Sequence, residues 1–341
     1  MKKIGEQTYS LQNRPKILSS AAVVGEKEGK GKLGKSFDIV VKDPYFGKKT
    51  WEAAESEMLR KCFEKVCFKA GKTEKDIDMI LSGDLLDQCT SSAFAFRKIN
   101  VPYLGLYGAC STMAESMALA AMLTDGGFGE TVCAITASHF CTAERQYRFP
   151  LEYGGQRPPT AQSTVTGAGG LLLSVKGKGP AVRCVTIGKI ADAGITDANN
   201  MGSAMAPAAL NTLVSHFRDT GRSPSYYDAV FTGDLGAIGH DILEEMLEKE
   251  GFPADKNYFD CGVMIYEGDG EKERRFGSGC GCSASVLCGY ILPEMKKRHW
   301  NRILFAATGA LLSPLTVQQK ESIPGICHAV AIENEGDDRD E

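Results

Sequence analysis

Short motifs from the first half of the chain recur, in the same order, in the second half. The matching segments are residues 78–85 and 228–235, 108–112 and 279–285, and 131–138 and 302–309. Duplication explains three ordered matches better than chance similarity between small-residue turns does. The repeat predicts two halves, residues 1–176 and 177–341, each with helices packed on a mostly parallel sheet. The second half ends in an acidic tail, residues 333–341, which is predicted to be disordered.

The segment Gly-Ala-Cys-Ser-Thr at residues 108–112 lies between a short apolar run, 101–106, and a helix-permissive apolar run, 113–123. A helix that is apolar on nearly every side is buried. Gly108 and Ala109 permit a sharp turn, which would place Cys110 on the first turn of a central helix. Unpaired N–H groups and the helix dipole favour a thiolate there. The pattern is typical of a nucleophile elbow, and the alternative is an inert buried cysteine.

The chain has 341 residues and a net charge of −4, which does not favour nucleic acid or anionic lipid as a direct partner. Residues 1–20 contain no apolar signal-peptide core, and no run of about 18 apolar residues predicts a membrane span. The 12 cysteines are therefore expected as free thiols in a reducing compartment. Cys280 and Cys282 have C-x-C spacing, unlike zinc sites, so neither a metal nor a cofactor is predicted.

Two stretches lack clear periodicity. Residues 1–50 are rich in glycine and lysine, and the segment 25–34 predicts a mobile loop or arm. Residues 137–166 are polar with few apolar runs. Long connections without regular structure are uncommon and often functional, so this second stretch is a candidate binding region.

The motifs together resemble the thiolase-like superfamily and, within it, the family of stage V sporulation AD proteins. The matching segments are residues 108–112, 142–146, 152–156, 164–167, 194–197, 201–208, 307–314 and 318–324. Residues 164–169 are also similar to the Gly-Ala-Gly segment of ketoacyl synthase III enzymes. The resemblance implies a duplicated five-layered α/β/α/β/α fold, a reactive-cysteine position at Cys110, and a homodimer.

The resemblance also implies a role in binding and transport. Members of the sporulation family take part in moving dipicolinic acid, as its calcium chelate, into the developing spore, and in its release during germination. They act with membrane-embedded stage V sporulation proteins. The expected location is therefore cytoplasmic, or peripheral on the inner membrane of the forespore or spore. Whether calcium binds together with the ligand stays open.

An alternative is an acyl-condensing enzyme of the ketoacyl synthase III or thiolase type. Such enzymes use a cysteine nucleophile, with a histidine and an asparagine that stabilise the carbanion and the oxyanion. Cys110 matches the first position, and His240 falls near the second, although the family's His-Gln-Ala-Asn context is missing. Thr308 stands where the asparagine belongs. A capping or surface role is the plainer interpretation of His240, and a scaffold with a vestigial pocket is a third hypothesis.

Dipicolinate is a flat pyridine with two carboxylates, which guanidinium groups recognise bidentately. The polar connection carries Arg145, Arg148 and Arg157, and Lys320 is another candidate anchor. The predicted ligand-binding residues are Cys110, Ser111, His139, Arg145, Arg148, Thr166, Thr308 and Lys320. The alternative for the arginines is an ordinary surface loop, in which Glu144 pairs with Arg148 at i,i+4 spacing.

Overall fold

The computed structural model describes residues 2–147, 158, 160–254, 256–266 and 276–336. The strands are β1 (Lys2–Lys3), β2 (Thr8–Ser10), β3 (Lys16–Gly25), β4 (Ile39–Val41), β5 (Met79–Gly83), β6 (Tyr103–Gly105), β7 (Val132–Ser138), β8 (Ser163–Thr164), β9 (Gly167–Ser174), β10 (Ala181–Thr186), β11 (Ala229–Thr232), β12 (Tyr258–Asp260), β13 (Gly277–Ser278), β14 (Arg302–Ala310) and β15 (Gly325–Glu333). The helices are α1 (Glu26–Lys30), α2 (Trp51–Lys69), α3 (Thr90–Phe96), α4 (Thr112–Asp125), α5 (Phe140–Tyr147), α6 (Met201–Thr220), α7 (Gly236–Lys249), α8 (Cys261–Tyr266), α9 (Cys280–Val286), α10 (Leu292–Lys296) and α11 (Pro314–Gln318).

The strands of the two halves follow the same order. In the first half the order is β3–β9–β7–β5–β6, where β9 is antiparallel to both neighbours and β7, β5 and β6 are parallel. In the second half β10–β15–β14–β11–β12 has the same order and the same senses. The two sets join where Ala181 of β10 pairs with Lys16 of β3. Separation into two domains at residue 176 stays a prediction.

Helices lie on both sides of each set of strands. Helix α2 packs on β3 and β9, and α6 packs on β14 and β15. Helices α4 and α9 contact each other between the two sets, since α4 reaches both β7 and β15 and α9 covers β7 and β9. The predicted five-layered α/β/α/β/α arrangement is therefore confirmed. The prediction of a buried helix after Cys110 is also confirmed, because α4 is buried along most of its length.

The N-terminal segment differs from its prediction. Residues 16–25 form β3, which lies between β9 and β10 in the sheet and is buried along nearly its whole length. Its continuous run of small and apolar residues is typical of a strand covered on both faces. Residues 26–30 continue directly into α1, where Glu28 is buried. The expectation of a mobile arm at 25–34 was wrong. It gave more weight to the glycine and lysine content of this segment than to the apolar run that precedes it.

None of the helices in the described parts of the chain is both long and apolar enough to cross a lipid bilayer.

Met117 tests the central position of α4, because its side chain has no exposed surface and belongs to the core cluster between the layers. Met117→Ala leaves a cavity there, so the free energy of unfolding should fall by about 2–5 kcal/mol in chemical denaturation. Phe128→Ala is the control, because Phe128 is 73% exposed. That substitution should change stability by no more than about 0.5 kcal/mol. Equal effects of the two substitutions would contradict the layer assignment.

Candidate functional site

The elbow comprises residues 108–112 and connects the segment after β6 to helix α4. Ala109 has a φ of +50°, in the left-handed region, and so turns the chain sharply. The Ser111 hydroxyl donates to the Gly108 carbonyl oxygen at 2.7 Å, and the Thr112 hydroxyl donates to the Ala109 carbonyl oxygen at 2.6 Å. These short-range bonds hold the turn and place Cys110 two residues before the helix starts.

Gly309, at the end of β14, lies directly against the elbow. A Cβ atom at this position would come within 2.3 Å of the Gly108 carbonyl oxygen and 3.2 Å of the Cys110 backbone nitrogen. Only glycine permits such close approach of two backbones. The second half of the chain therefore forms one wall of the cysteine site.

The side chain of Cys110 faces polar groups that the sequence prediction did not include. Its sulfur lies 3.8 Å from the Ser278 hydroxyl, and Asp234 is the nearby acid. Burial, and then the charge of Asp234, raise the pKa of the Cys110 thiol well above its usual value. The expectation that the helix start would favour a thiolate was therefore wrong, because these two effects oppose the helix dipole.

Asp234 is fully buried and accepts hydrogen bonds from several segments of the second half. Its donors are the Ser278 hydroxyl at 2.9 Å, the Gly279 N–H at 3.0 Å and the Thr308 hydroxyl at 3.0 Å. Burial raises the pKa of Asp234 to about 6, although hydrogen bonds from Cys110, Gly279 and Ser278 lower it. The acid thus titrates close to neutral pH and forms the polar centre of the site.

The repeat contained a sequence indication for Asp234. The Gly-Asp-Leu triplets at residues 83–85 and 233–235 are equivalent in the two halves, and each follows the end of a parallel strand. Asp84 is also buried, and it accepts from the Ser92 N–H and hydroxyl at 2.7 Å each and from the Leu86 N–H at 2.8 Å. A buried aspartate therefore follows the strand in both halves, but the one in the second half faces Cys110.

His240 does not lie against Cys110 in any contact that the structure describes. On α7, its ring stacks on Tyr258 with centroids 4.0 Å apart, and its charge acts on Asp260. Asp260 in turn acts on Asp234. The contacts described for this histidine are thus with Tyr258 and Asp260, and not with the thiol. Thr308 reaches the site through its hydrogen bond to Asp234.

Three other predicted ligand residues make contacts away from the elbow. His139 Nε2 lies 2.9 Å from the Pro44 carbonyl oxygen, and burial lowers the pKa of this histidine. The Thr166 hydroxyl accepts from the Phe140 N–H at 3.1 Å. Lys320 is exposed just beyond α11. The structure therefore brings Cys110, Ser111 and Thr308 together, but not these three residues.

Helix α5 borders the elbow through Ala143 and Tyr147, which pack in one cluster with Cys110. The Tyr147 hydroxyl donates to the Leu85 carbonyl oxygen at 2.6 Å. Arg145, on the same helix, forms an ion pair with Glu52 and lines a separate cavity of about 320 Å³. Arg148 and Arg157 lie outside the described residues. A ligand role for Arg145 stays a prediction, and it would require the ion pair with Glu52 to open.

Comparison with known proteins gives a consistent assignment. The family model described as stage V sporulation protein AD matches residues 5–333. A protein of that name from Bacillus subtilis is 42% identical over 336 residues, which cover 98% of this chain and 99% of the relative.

Solved structures of condensing enzymes have the same fold. The 3-oxoacyl-[acyl-carrier-protein] synthase III of Aquifex aeolicus aligns with a TM-score of 0.57 at 13% identity, over 94% of this chain and 99% of its own. Cerulenin-bound OleA of Xanthomonas campestris aligns with a TM-score of 0.60 at 12% identity, over 98% and 99%. At such low identity the likeness establishes the thiolase-like fold alone.

The raised pKa of Asp234 predicts a pH dependence of stability. Its carboxyl binds a proton more tightly in the folded protein than in the unfolded chain. Its contribution to stability is therefore fully present below about pH 4 and is lost as the pH rises through about 6. Asp234→Asn should remove about 2–3 kcal/mol of this change, measured as the free energy of unfolding at pH 4 and pH 7.

Asp219→Asn is the control for that comparison. Partial burial raises the pKa of Asp219, but hydrogen bonds from N–H donors, including those of Gln7 and Glu6, lower it by more. The net shift of this pKa is therefore downward. The contribution of Asp219 to stability is therefore fully present above about pH 4 and is lost as the pH falls below that value, so this substitution should change the free energy of unfolding by the same amount at pH 4 as at pH 7. Similar pH profiles for the two variants between pH 4 and 7 would contradict the assignment to Asp234.

Proposed function

Because the chain belongs to the stage V sporulation protein AD family, we propose that its role in sporulation is to bind dipicolinic acid beside Cys110, without acyl condensation. The observation that carries this proposal is the pairing of Cys110 with Asp234 and Ser278. The elbow keeps the geometry of a nucleophile site, but its electrostatics oppose a nucleophile. A preserved elbow with an unreactive thiol suits binding better than turnover.

Condensation would require stabilisation of negative charge next to the cysteine. The thiol must first become a thiolate, and an oxyanion and a carbanion then develop beside it. Asp234 is a fully buried acid at this place, so its ionised form would destabilise each of these species. His240 instead stacks on Tyr258. These positions oppose the alternative of an acyl-condensing enzyme.

The same charge indicates the form in which dipicolinate binds. Free dipicolinate is a dianion, which the buried carboxyl groups of Asp234 and Asp84 would repel. The calcium chelate of dipicolinate carries no net charge, so repulsion would be small. The ligand of the elbow in this proposal is therefore the calcium chelate.

The partner and location assignments are part of the proposal. We infer that the protein works at the inner membrane of the forespore, together with membrane-embedded stage V sporulation proteins. Support comes from the family assignment. In this arrangement the protein presents the ligand, and its partners provide the path across the membrane.

A homodimer through strand β6 is also proposed. In the described sheet β6 is the terminal strand of the first half, and Leu104 on it is 45% exposed. Phe94 and Tyr107, from the neighbouring helix and the segment after β6, are exposed as well. An apolar edge strand of this kind is a template for pairing with a second chain.

Calorimetric titration with dipicolinate, with and without calcium, tests the ligand. The wild-type protein should bind, and more tightly when calcium is present. Cys110→Ala should weaken binding modestly, whereas Cys110→Phe should abolish it, because the phenyl ring would occupy the place proposed for the ligand. Cys67→Ala is the matched control, since Cys67 lies in a different core cluster and its loss should leave affinity unchanged.

Circular dichroism of Cys110→Phe must show the wild-type fold, because only then does its loss of dipicolinate binding support the proposed site. Absence of dipicolinate binding by the wild-type protein would refute the proposed ligand. Incubation with radiolabelled acyl and malonyl thioesters tests the alternative. Steady product formation that disappears in Cys110→Ala would establish a condensing enzyme instead.

Sedimentation analysis tests the dimer. Leu104→Asp places a charge on the β6 edge and should convert a dimer into a monomer. Leu315→Asp is the control, because Leu315 is 62% exposed on α11, which is not part of the sheet edge. A monomeric wild-type protein, or dissociation by both substitutions, would contradict the proposed interface.

A further inference from the structure

A second cavity lies at the end of the sheet opposite to the elbow. Its volume is about 230 Å³, and three arginines, Arg14, Arg183 and Arg222, line it. Strand β11 shows the separation of the two sites. Arg222 contacts Tyr227, just before this strand begins, whereas Asp234 follows the strand's C-terminal end. The cavity is therefore distinct from the cysteine site.

The positive charge of this cavity exceeds the negative charge described around it. None of the residues that line the cavity is acidic. Glu333 pairs with two of the lining arginines: one of its oxygens lies 3.1 Å from Arg183 Nε, and the other lies 3.2 Å from Arg222 Nη1. The second oxygen also accepts from the Tyr226 hydroxyl at 3.2 Å. Among the residues that the structure describes, no acidic side chain pairs with Arg14. Two of the three guanidinium groups thus share one carboxylate.

Arg222 is held in place before any ligand arrives. Its guanidinium lies 4.1 Å from the centre of the Tyr226 ring and donates to the Tyr227 hydroxyl at 3.3 Å. Its side chain is 20% exposed and that of Arg183 is 26% exposed, so both remain accessible to a small solute. A fixed and partly desolvated guanidinium loses little side-chain freedom on binding, which favours recognition of an anion.

We propose that this cavity binds a small oxyanion with two negative charges, either inorganic phosphate or a small dicarboxylate. Guanidinium groups present parallel N–H donors that match the oxygens of both anions. Two charges on the ligand would balance the excess of guanidinium over carboxylate. The volume is below that of ordinary pockets for drug-sized ligands, which limits the ligand to a few heavy atoms. Ser10, also in the wall, adds a hydroxyl group, whereas the Thr220 hydroxyl already donates to the His216 carbonyl oxygen at 2.6 Å.

Calorimetric titrations of the full chain at constant ionic strength test this site, with inorganic phosphate in one series and dipicolinate in the other. Arg14→Gln removes the arginine that has no described acidic partner, and it should weaken anion binding about tenfold or more. The matched control is Arg298→Gln. Arg14 and Arg298 both have a positive φ, at 47° and 61°. The two variants therefore lose the same charge from residues with the same left-handed backbone conformation.

Binding of either anion that Arg14→Gln weakens and Arg298→Gln does not would support the site. The series in which this happens identifies the anion as phosphate or dicarboxylate. Failure of both anions to bind, or equal effects of the two substitutions, would overturn the proposal. Cys110→Phe separates this site from the elbow, because it should leave phosphate binding unchanged. Dipicolinate binding that survives in Cys110→Phe and is lost in Arg14→Gln would assign this ligand to the arginine cavity instead.

Discussion

The arrangement around the elbow depends on one buried carboxyl group, that of Asp234. Its oxygens accept from Ser278 and Gly279 on one segment and from Thr308 on β14, so it ties together chain segments that are remote in sequence. An unsatisfied buried acid would be costly, and these three donors offset much of that cost. Burial, and then the charge of the same carboxyl group, raise the pKa of the Cys110 thiol. Asp234 therefore contributes both to the structure of this site and to the low reactivity of its cysteine.

The duplicated pattern allowed much of the fold to be predicted. Motif order in the two halves anticipated paired strand–helix units, and the apolar run after Cys110 anticipated the buried helix α4. These features are local or periodic, so they are visible in a single sequence. Strand β3 was missed, although its apolar run is visible at residues 16–25. The charged and glycine-rich residues that follow it dominated the interpretation of the whole N-terminal segment.

Prediction of the site was less complete, because a site combines residues from distant parts of the chain. The turn at Cys110 follows from local residues, but the acid that adds to the effect of burial on the pKa of its thiol belongs to the other half. The sequence analysis did not include that acid, and the equivalence of Asp84 and Asp234 in the repeat was the one indication of it. His139, Thr166 and Lys320 were selected for side-chain chemistry and motif position, which do not specify direction. In the structure His139 and Thr166 make hydrogen bonds away from the elbow, and Lys320 is exposed to solvent.

The two ends of the sheet carry opposite charge, and this has a consequence for ligand choice. Near the elbow, Asp84, Asp234 and Asp260 are all buried, whereas Arg183 and Arg222 border the cavity at the other end. Coulomb interactions are strong where side chains are shielded from water, so each end favours a different charge on its ligand. A neutral metal chelate suits the acidic end, and a bare dianion suits the basic end. Similarity of fold to condensing enzymes does not reveal this difference in ligand charge. The backbone fold is shared, whereas the charges beside the cysteine depend on individual residues.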